Sequence, residues 1–314
     1  AKSAVIPGAS GTRYDGVDQY SALFFLLPFI EQTALYNDVM GRVTSTTYPL
    51  SGSWQDTIPD PTRGNPSTMS DGTLNPFHNI ITGFLCPSDG VITRKITADR
   101  TGQTNYRLNR GDWMIGDAWG ENTTLRGIAR YGRYGQVTLA SVTDGTSNTL
   151  FTSESLADAL SATSKYKQGL GQVSPTIHGQ AAINCLNARG QVGMFNTAVV
   201  TATHAGKGHR WGDRRAAMTG FMCALPPNSP SCTSTNLDGC LAISASSNHS
   251  GGVNAGLCDG SVRFVSDTID CGEIEKILGQ SLGNTTEGHK WTGPSTHGVW
   301  GAAATPAGSE AKAL

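Results

Sequence analysis

Apolar residues in this 314-residue chain come in short clusters, set between long polar stretches rich in Gly, Ser, Thr and Asn. The first cluster, Ser21-Ala-Leu-Phe-Phe-Leu-Leu27, predicts one or two turns of buried helix. Pro28 fits the first turn of a second helix, where its missing N–H costs nothing, and this helix is predicted to run to about Met40. Phe29, Ile30, Leu35 and Val39 fall on or near one of its faces, while Glu31, Gln32 and Asp38 turn outward. Residues 41–76 follow with Pro49, Pro59, Pro61, Pro66 and Pro76. They read as a long irregular insertion, of the kind that marks an exposed or contacting surface.

Beyond the insertion the pattern turns strand-like. Ile80–Cys86 reads as a buried strand closed by Pro87-Ser88-Asp89-Gly90, and Val91–Ile96 and Gln103–Leu108 are further strands. Val137–Val142 alternates, Asp144-Gly145 turns, and Thr149–Glu154 resumes, which predicts two strands about a β turn. Residues 157–220 carry no firm pattern. Near the C-terminus Gly252–Cys258 and Ser261–Val265 flank Asp259-Gly260, the preferred pair for a two-residue type I′ hairpin turn. Val262 and Phe264 are expected to share a face with Val253 and Leu257. A short helix is predicted over Gly272–Gln280, and the tail past Gly301 is expected to fray. No repeat with a period of roughly 20–50 residues is visible, which argues against a solenoid or propeller.

Composition narrows the class. Charged residues are 15% of the chain, against roughly 25% in average soluble domains, and 39 Gly take up part of the difference. Short strands joined by many loops follow from that. Net charge is −1, and the Arg126–Arg133 and Arg210–Arg215 clusters are diluted by Gly and Ala, so a nucleic-acid face is excluded. Arg210–Arg215 is read as a solvated loop with ion pairs to Asp213. The longest apolar run, Leu23–Ile30, contains Pro28 and falls far short of the roughly 20 residues a membrane span needs.

Chemistry is sparse. None of the seven cysteines forms Cys-x-x-Cys, so zinc-ribbon and thioredoxin geometries are absent. Five of them, Cys223, Cys232, Cys240, Cys258 and Cys271, cluster in a stretch that also holds Pro226, Pro227, Pro230 and Gly239. Two local disulfides with one cysteine to spare are expected there, because loops poor in regular hydrogen bonding gain from a covalent tie. Gly-x-Ser-x-Gly, His-Glu-x-x-His, P-loop, dinucleotide and calcium-loop patterns are all missing. His249 and Asp259 are the one sharp constellation. As metal candidates they are too few, and turn chemistry accounts for Asp259, so no catalytic residue and no cofactor are expected. Trp113, Trp119, Trp211, Trp291 and Trp300 are read as plugs beneath Gly-rich loops rather than as a carbohydrate platform.

These residues nonetheless carry a family resemblance. His249, nine residues, then Asp259-Gly260-Ser261-Val262-Arg263-Phe264 resembles the H-x9-DG signature of prepilin-processing-associated proteins, domain of unknown function 1559, a group expanded in planctomycetes. Leu27-Pro-Phe-Ile-Glu-Gln32, Phe84-Leu-Cys-Pro-Ser-Asp89, Thr143-Asp-Gly-Thr-Ser-Asn-Thr149 (with Asp144 and Gly145), Leu225-Pro-Pro-Asn-Ser-Pro-Ser-Cys232 and Val299-Trp-Gly301 resemble other segments of the family, in order. The resemblance implies a pilin-like α+β fold, in which an N-terminal helical segment packs on an antiparallel sheet with long loops. It implies one head domain over 1–314: a helical part to residue 40, sheet and insertions over 41–240, and the hairpin and tail over 241–314. It also implies a prepilin leader and apolar helix that these residues do not include, and a cysteine at the end of that helix as a partner for Cys86 or another thiol. The function implied is that of an extracellular or cell-surface structural subunit without enzymatic activity. Its expected partners are copies of itself or other pilin-like subunits. The alternatives are a polysaccharide-binding module on the same anchor or, more remotely, a secreted hydrolase.

Overall fold

The computed structural model describes residues 20–45, 75–90, 102–116, 126–129, 137–158, 162–174, 180–284, 291–309 and 314. Most of the Pro-rich insertion, the Val91–Ile96 segment and Trp119 lie outside them. The fold class is α+β, with short helices and two five-stranded sheets. No helix among the described residues is long and apolar enough to cross a membrane.

The N-terminal apolar cluster does form helix, in pieces: α1 (Ala22–Leu26), a 3-10 turn at Leu27–Phe29, and α2 (Thr33–Ser45). The break comes after Pro28 rather than at it, because Glu31 takes a positive φ of 62° and resets the chain. Val39 is buried as expected, but the reset turns Phe29 out to 83% exposure and leaves Ile30 exposed too. Tyr20, Leu23, Phe24 and Leu27 pack with Phe77, Ile81, Phe84 and Trp211 in an aromatic core of their own. Phe77 and Phe84 lie 5.1 and 5.8 Å from Trp211, a spacing at which tilted rings attract. Ile81, Phe84 and Cys86 are buried, though not on a strand. Thr82–Phe84 closes a 3-10 turn, with Phe84 N donating to Ile81 O.

The first sheet holds β1 (Tyr106–Asn109), β3 (Leu150–Glu154), β6 (Gly220–Phe221), β9 (Gly252–Leu257) and β10 (Val262–Ser266), in the order β10-β9-β3-β1-β6. The second holds β2 (Ile115–Gly116), β4 (Leu170–Val173), β5 (Val200–His204), β7 (Cys232–Thr233) and β8 (Cys240–Ala242), in the order β2-β8-β7-β4-β5. Each is mixed: β1 runs parallel to β6, and β4 parallel to β7, where a purely antiparallel sheet was expected. Long loop excursions allow these parallel pairings, which a two-residue turn cannot make. Beneath the first sheet lie Leu150, Phe221, Val253, Ala255, Leu257, Val265 and Trp300.

Three further expectations change. Val137–Val142 is not a strand; Thr138 and Ser141 form a capping box around a 3-10 turn at Leu139–Ser141, and Leu139 is 70% exposed. Gly272–Gln280 is not helical either, since Gly272 and Gly279 take φ of 55° and 75°. Nor do the described residues just past Gly301 fray: α5 (Gly298–Ala303) is largely buried, as are Ala304 and Thr305, and Trp300 Nε1 donates to Leu225 O at 3.0 Å. Two more helical turns, α3 (Ile183–Leu186) and α4 (Ala216–Thr219), flank the second sheet's strands in sequence.

The disulfide joins Cys185 to Cys232 across 47 residues. Cys232 belongs to the expected cluster, but its partner stands on α3, outside it. Cys86, Cys223, Cys240, Cys258 and Cys271 are in no disulfide. The Arg210–Arg215 loop has its ion pairs, but Asp213 is fully buried, held by Arg215 at 2.7 Å and more loosely by Arg210.

Candidate functional site

The C-terminal hairpin is built on a three-residue loop rather than a two-residue one. Gly260 N donates to Leu257 O, Leu257 N to Ser261 O, and Gly260 alone of the Asp-Gly pair is left-handed, at φ 87°. That is a type I turn completed by a left-handed glycine. The extra residue slips the register by one, so Val265 faces Val253 and Phe264 faces Asn254. A one-residue slip reverses every side chain. Val253, Leu257 and Val265 are therefore buried, while Val262 and Phe264 stand on the solvent face at 68% and 55% exposure.

Asp259 accepts from Ser261 Oγ at 2.7 Å and from Ser261 N at 2.9 Å, and these bonds hold its carboxyl below the usual range. The turn docks on the Asp144-Gly145 loop: Asp259 N donates to Thr146 O and Cys258 N to Thr149 O. Gly145 supplies that loop's positive φ of 98°. The buried carboxylate of Asp144 accepts from Gly308 N at 2.6 Å and Ser309 N at 3.2 Å, which fastens the tail.

His249 lies beyond the other end of β9. Six strand residues at about 3.3 Å each put roughly 20 Å between the two ends, so the structure does not bring His249 and Asp259 together. His249 meets Glu154 instead, with Nε2 3.3 Å from Oε1. Glu154 reaches this place through a bulge in β3. Leu150 pairs with Leu257 but Thr152 with Gly256, leaving Phe151 as the extra residue. Without it Glu154 would stand opposite Val253 and point toward the core. With it Glu154 stands opposite Asn254, whose N and Nδ2 donate to its carboxylate at 2.8 and 3.2 Å.

Cys86 completes the junction: its sulfur, a Glu154 oxygen and a His249 nitrogen all lie within 4.8 Å of one another. Cys86 and Glu154 are buried and His249 is half-buried. The phenol of Tyr106, across from Glu154 in the β1–β3 pairing, is raised by burial first and then by Cys86 and Glu154. Surrounding side chains fix the three loops. Asn105 Oδ1 accepts from Cys86 N at 2.8 Å, and its Nδ2 donates to Asp89 at 2.7 Å. Asn248 Nδ2 donates to Ser88 O at 2.8 Å. Ser247 Oγ accepts from His249 N, and Asn228 Oδ1 accepts from Ser247 N. The Phe84–Asp89, Leu225–Cys232 and His249 segments, joined by bonds that span 19 to 160 residues of sequence, thus meet at one place.

The family model described as a protein of unknown function (DUF1559) matches residues 4–272. The chain belongs to that family. No curated protein and no solved structure matches it. In this DUF1559 member, the Asp259-Gly260 turn meets the Thr143–Thr149 segment beside Asp144, and the Phe84–Asp89 segment meets His249 at Glu154.

Sequence reading singled out His249 and missed Cys86 and Glu154 as its neighbours. The available signal was a lone carboxylate ending the strand-like Leu150–Glu154 run, and a cysteine opening a Pro-Ser-Asp turn. Of the tryptophans, Trp113, Trp211 and Trp300 are buried and Trp291 is half-buried.

Elsewhere buried charges also hold loops. Asp158 accepts from Gly206 N and Lys207 N and is paired with His209, while Lys207 Nζ donates to Lys167 O. Desolvation pushes the Arg107 guanidinium down to about 9 and Lys207 well below its usual value, in spite of nearby Asp158.

Proposed function

We propose that this chain is the head of an exported, pilin- or pseudopilin-like surface subunit, structural rather than enzymatic. The observation that carries the reading is where the family segments spend their polar groups. Asp144 holds the tail, Glu154 holds strand β9 and the His249 loop before it, Asn105 holds the Cys-Pro-Ser-Asp turn, and Asp259 holds its own turn. Carboxylates committed to backbone donors fix a loop-rich surface in one shape, as a subunit that presents loops requires.

Two features support the reading. The Cys185–Cys232 bridge suits an oxidising compartment outside the cytoplasm. Edge strand β10 turns Val262 and Phe264 to solvent, and there we place contact with another copy or a related pilin-like subunit. Anchoring by an apolar prepilin helix belongs to the same proposal.

The test is protease shaving of intact cells, followed by shearing of surface material from a strain carrying Val262→Ser with Phe264→Ser. Head peptides should be released from intact cells. The double variant, altered only on the solvent face, should fold normally but leave less subunit in the sheared fraction. Heads protected from protease until the cells are lysed would contradict the proposal.

A further inference from the structure

The Cys86–Glu154–His249 junction has more than a loop-pinning geometry. Zinc takes sulfur at about 2.3 Å and nitrogen or oxygen at about 2.0–2.1 Å, so a tetrahedral site needs N···O edges of about 3.3 Å and S···N or S···O edges of about 3.6 Å. The His249–Glu154 edge is already 3.3 Å, and the sulfur edges, within 4.8 Å, need to close by at most about 1.2 Å. One imidazole, one carboxylate and one thiolate also form a donor set that selects zinc over magnesium or calcium.

Charge favours the same reading. A thiolate and a carboxylate together neutralise a divalent cation, so a bound ion leaves no net charge buried. The half-buried side of His249 gives an entry path and leaves the fourth position to water. The groups behind the donors are in place as well: Asn254 orients Glu154 through two bonds, Asn105 fixes the Cys86 backbone, and Ser247 fixes that of His249.

We propose that Cys86, Glu154 and His249 bind one zinc ion, through a thiolate sulfur, a carboxylate oxygen and an imidazole nitrogen, and that the ion ties the three loops together. Binding releases the Cys86 thiol proton to solvent and breaks no other bond. The site stands independently of the surface-subunit reading and requires no reaction.

The test uses the full 314-residue chain with Cys185–Cys232 intact, freed of metal by chelator and titrated with Co2+ alone and then with Zn2+. One Co2+ per chain should bind with a thiolate-to-cobalt charge-transfer band, Zn2+ should bleach that band, and Zn2+ should raise Tm. Cys86→Ser and His249→Ala should abolish both the band and the Tm rise. His249 stands on a half-buried loop, so its variant keeps the fold. Cys258→Ser, removing a half-buried thiol away from the three donors, should change neither readout. Asn254→Ala should weaken binding by about 10–100-fold. Absence of the band in the parent chain, its survival in Cys86→Ser, or Cys86 found disulfide-bonded in the native protein would each overturn the proposal.

Discussion

At the residue scale, single polar side chains do work that longer elements do in other folds. Asp144 is one of them, two of its hydrogen bonds coming from backbone N–H groups of the tail. Asp144→Asn leaves a neutral acceptor and a misdirected donor, and should cost about 1.5–3 kcal/mol, the worth of a bond to a charged group. Urea denaturation would show the loss, and hydrogen exchange should rise first at 307–309. His297 is another. It is buried against Trp113, with Nδ1 donating to Asp112 O at 2.8 Å and Nε2 without a partner. Burial lowers the pKa of His297, and likewise those of His78 and His204, below the usual 6.5.

These groups bind fewer protons folded than unfolded, so the stability they contribute is fully present above pH 6.5. It is lost as pH falls from there through their folded values. Thermal melts between pH 7.5 and 5 should show Tm falling, with a shallower fall in His297→Asn. None of these roles was legible in sequence, because each depends on what a distant loop brings alongside. His249 is the partial exception: it had no local explanation, and its explanation is Glu154, 95 residues away.

At the element scale, one residue in a turn decides which side chains are buried. Asp-Gly correctly located the hairpin, but the same pair serves two-residue and three-residue loops, and the choice reverses the faces. Strands β1, β3, β9 and β10 were legible from alternating and apolar runs; the five strands of the second sheet were not, and neither was any register. Gly260 needs its positive φ in open space, so Gly260→Ala should cost about 1–2 kcal/mol through backbone strain alone. Gly252 differs: a Cβ there would sit 2.1 Å from Val265 O, inside the pairing itself. Gly252→Ala should therefore destabilise more than Gly260→Ala and disturb β9–β10. Chemical denaturation of both variants checks the order. Short 3-10 turns escaped sequence reading for a related reason. Thr138 and Ser141 bond to backbone locally, and that bond outweighs the alternating pattern around them.

At the scale of the whole molecule, two small mixed sheets and a separate aromatic core are joined by loops, and buried polar pins and one disulfide hold the loops. The family, and with it the α+β class, was legible from segments spread along the chain, while scarce charge pointed only to short strands joined by many loops. The parallel pairings and the Cys185–Cys232 partnership were not, because long-range closure leaves no mark in local sequence. That bridge closes a loop of 47 residues, so replacing both cysteines by alanine should cost about 2–4 kcal/mol. Non-reducing peptide mapping should find this bond and no disulfide at Cys223, Cys240, Cys258 or Cys271.

The surface-subunit account rests most directly on where the head is found in the cell. Immunogold electron microscopy of intact cells, with antibody raised against this head, should label surface fibres or short surface assemblies. Label confined to permeabilised cells, or spread over the envelope and never on an assembly, would contradict it.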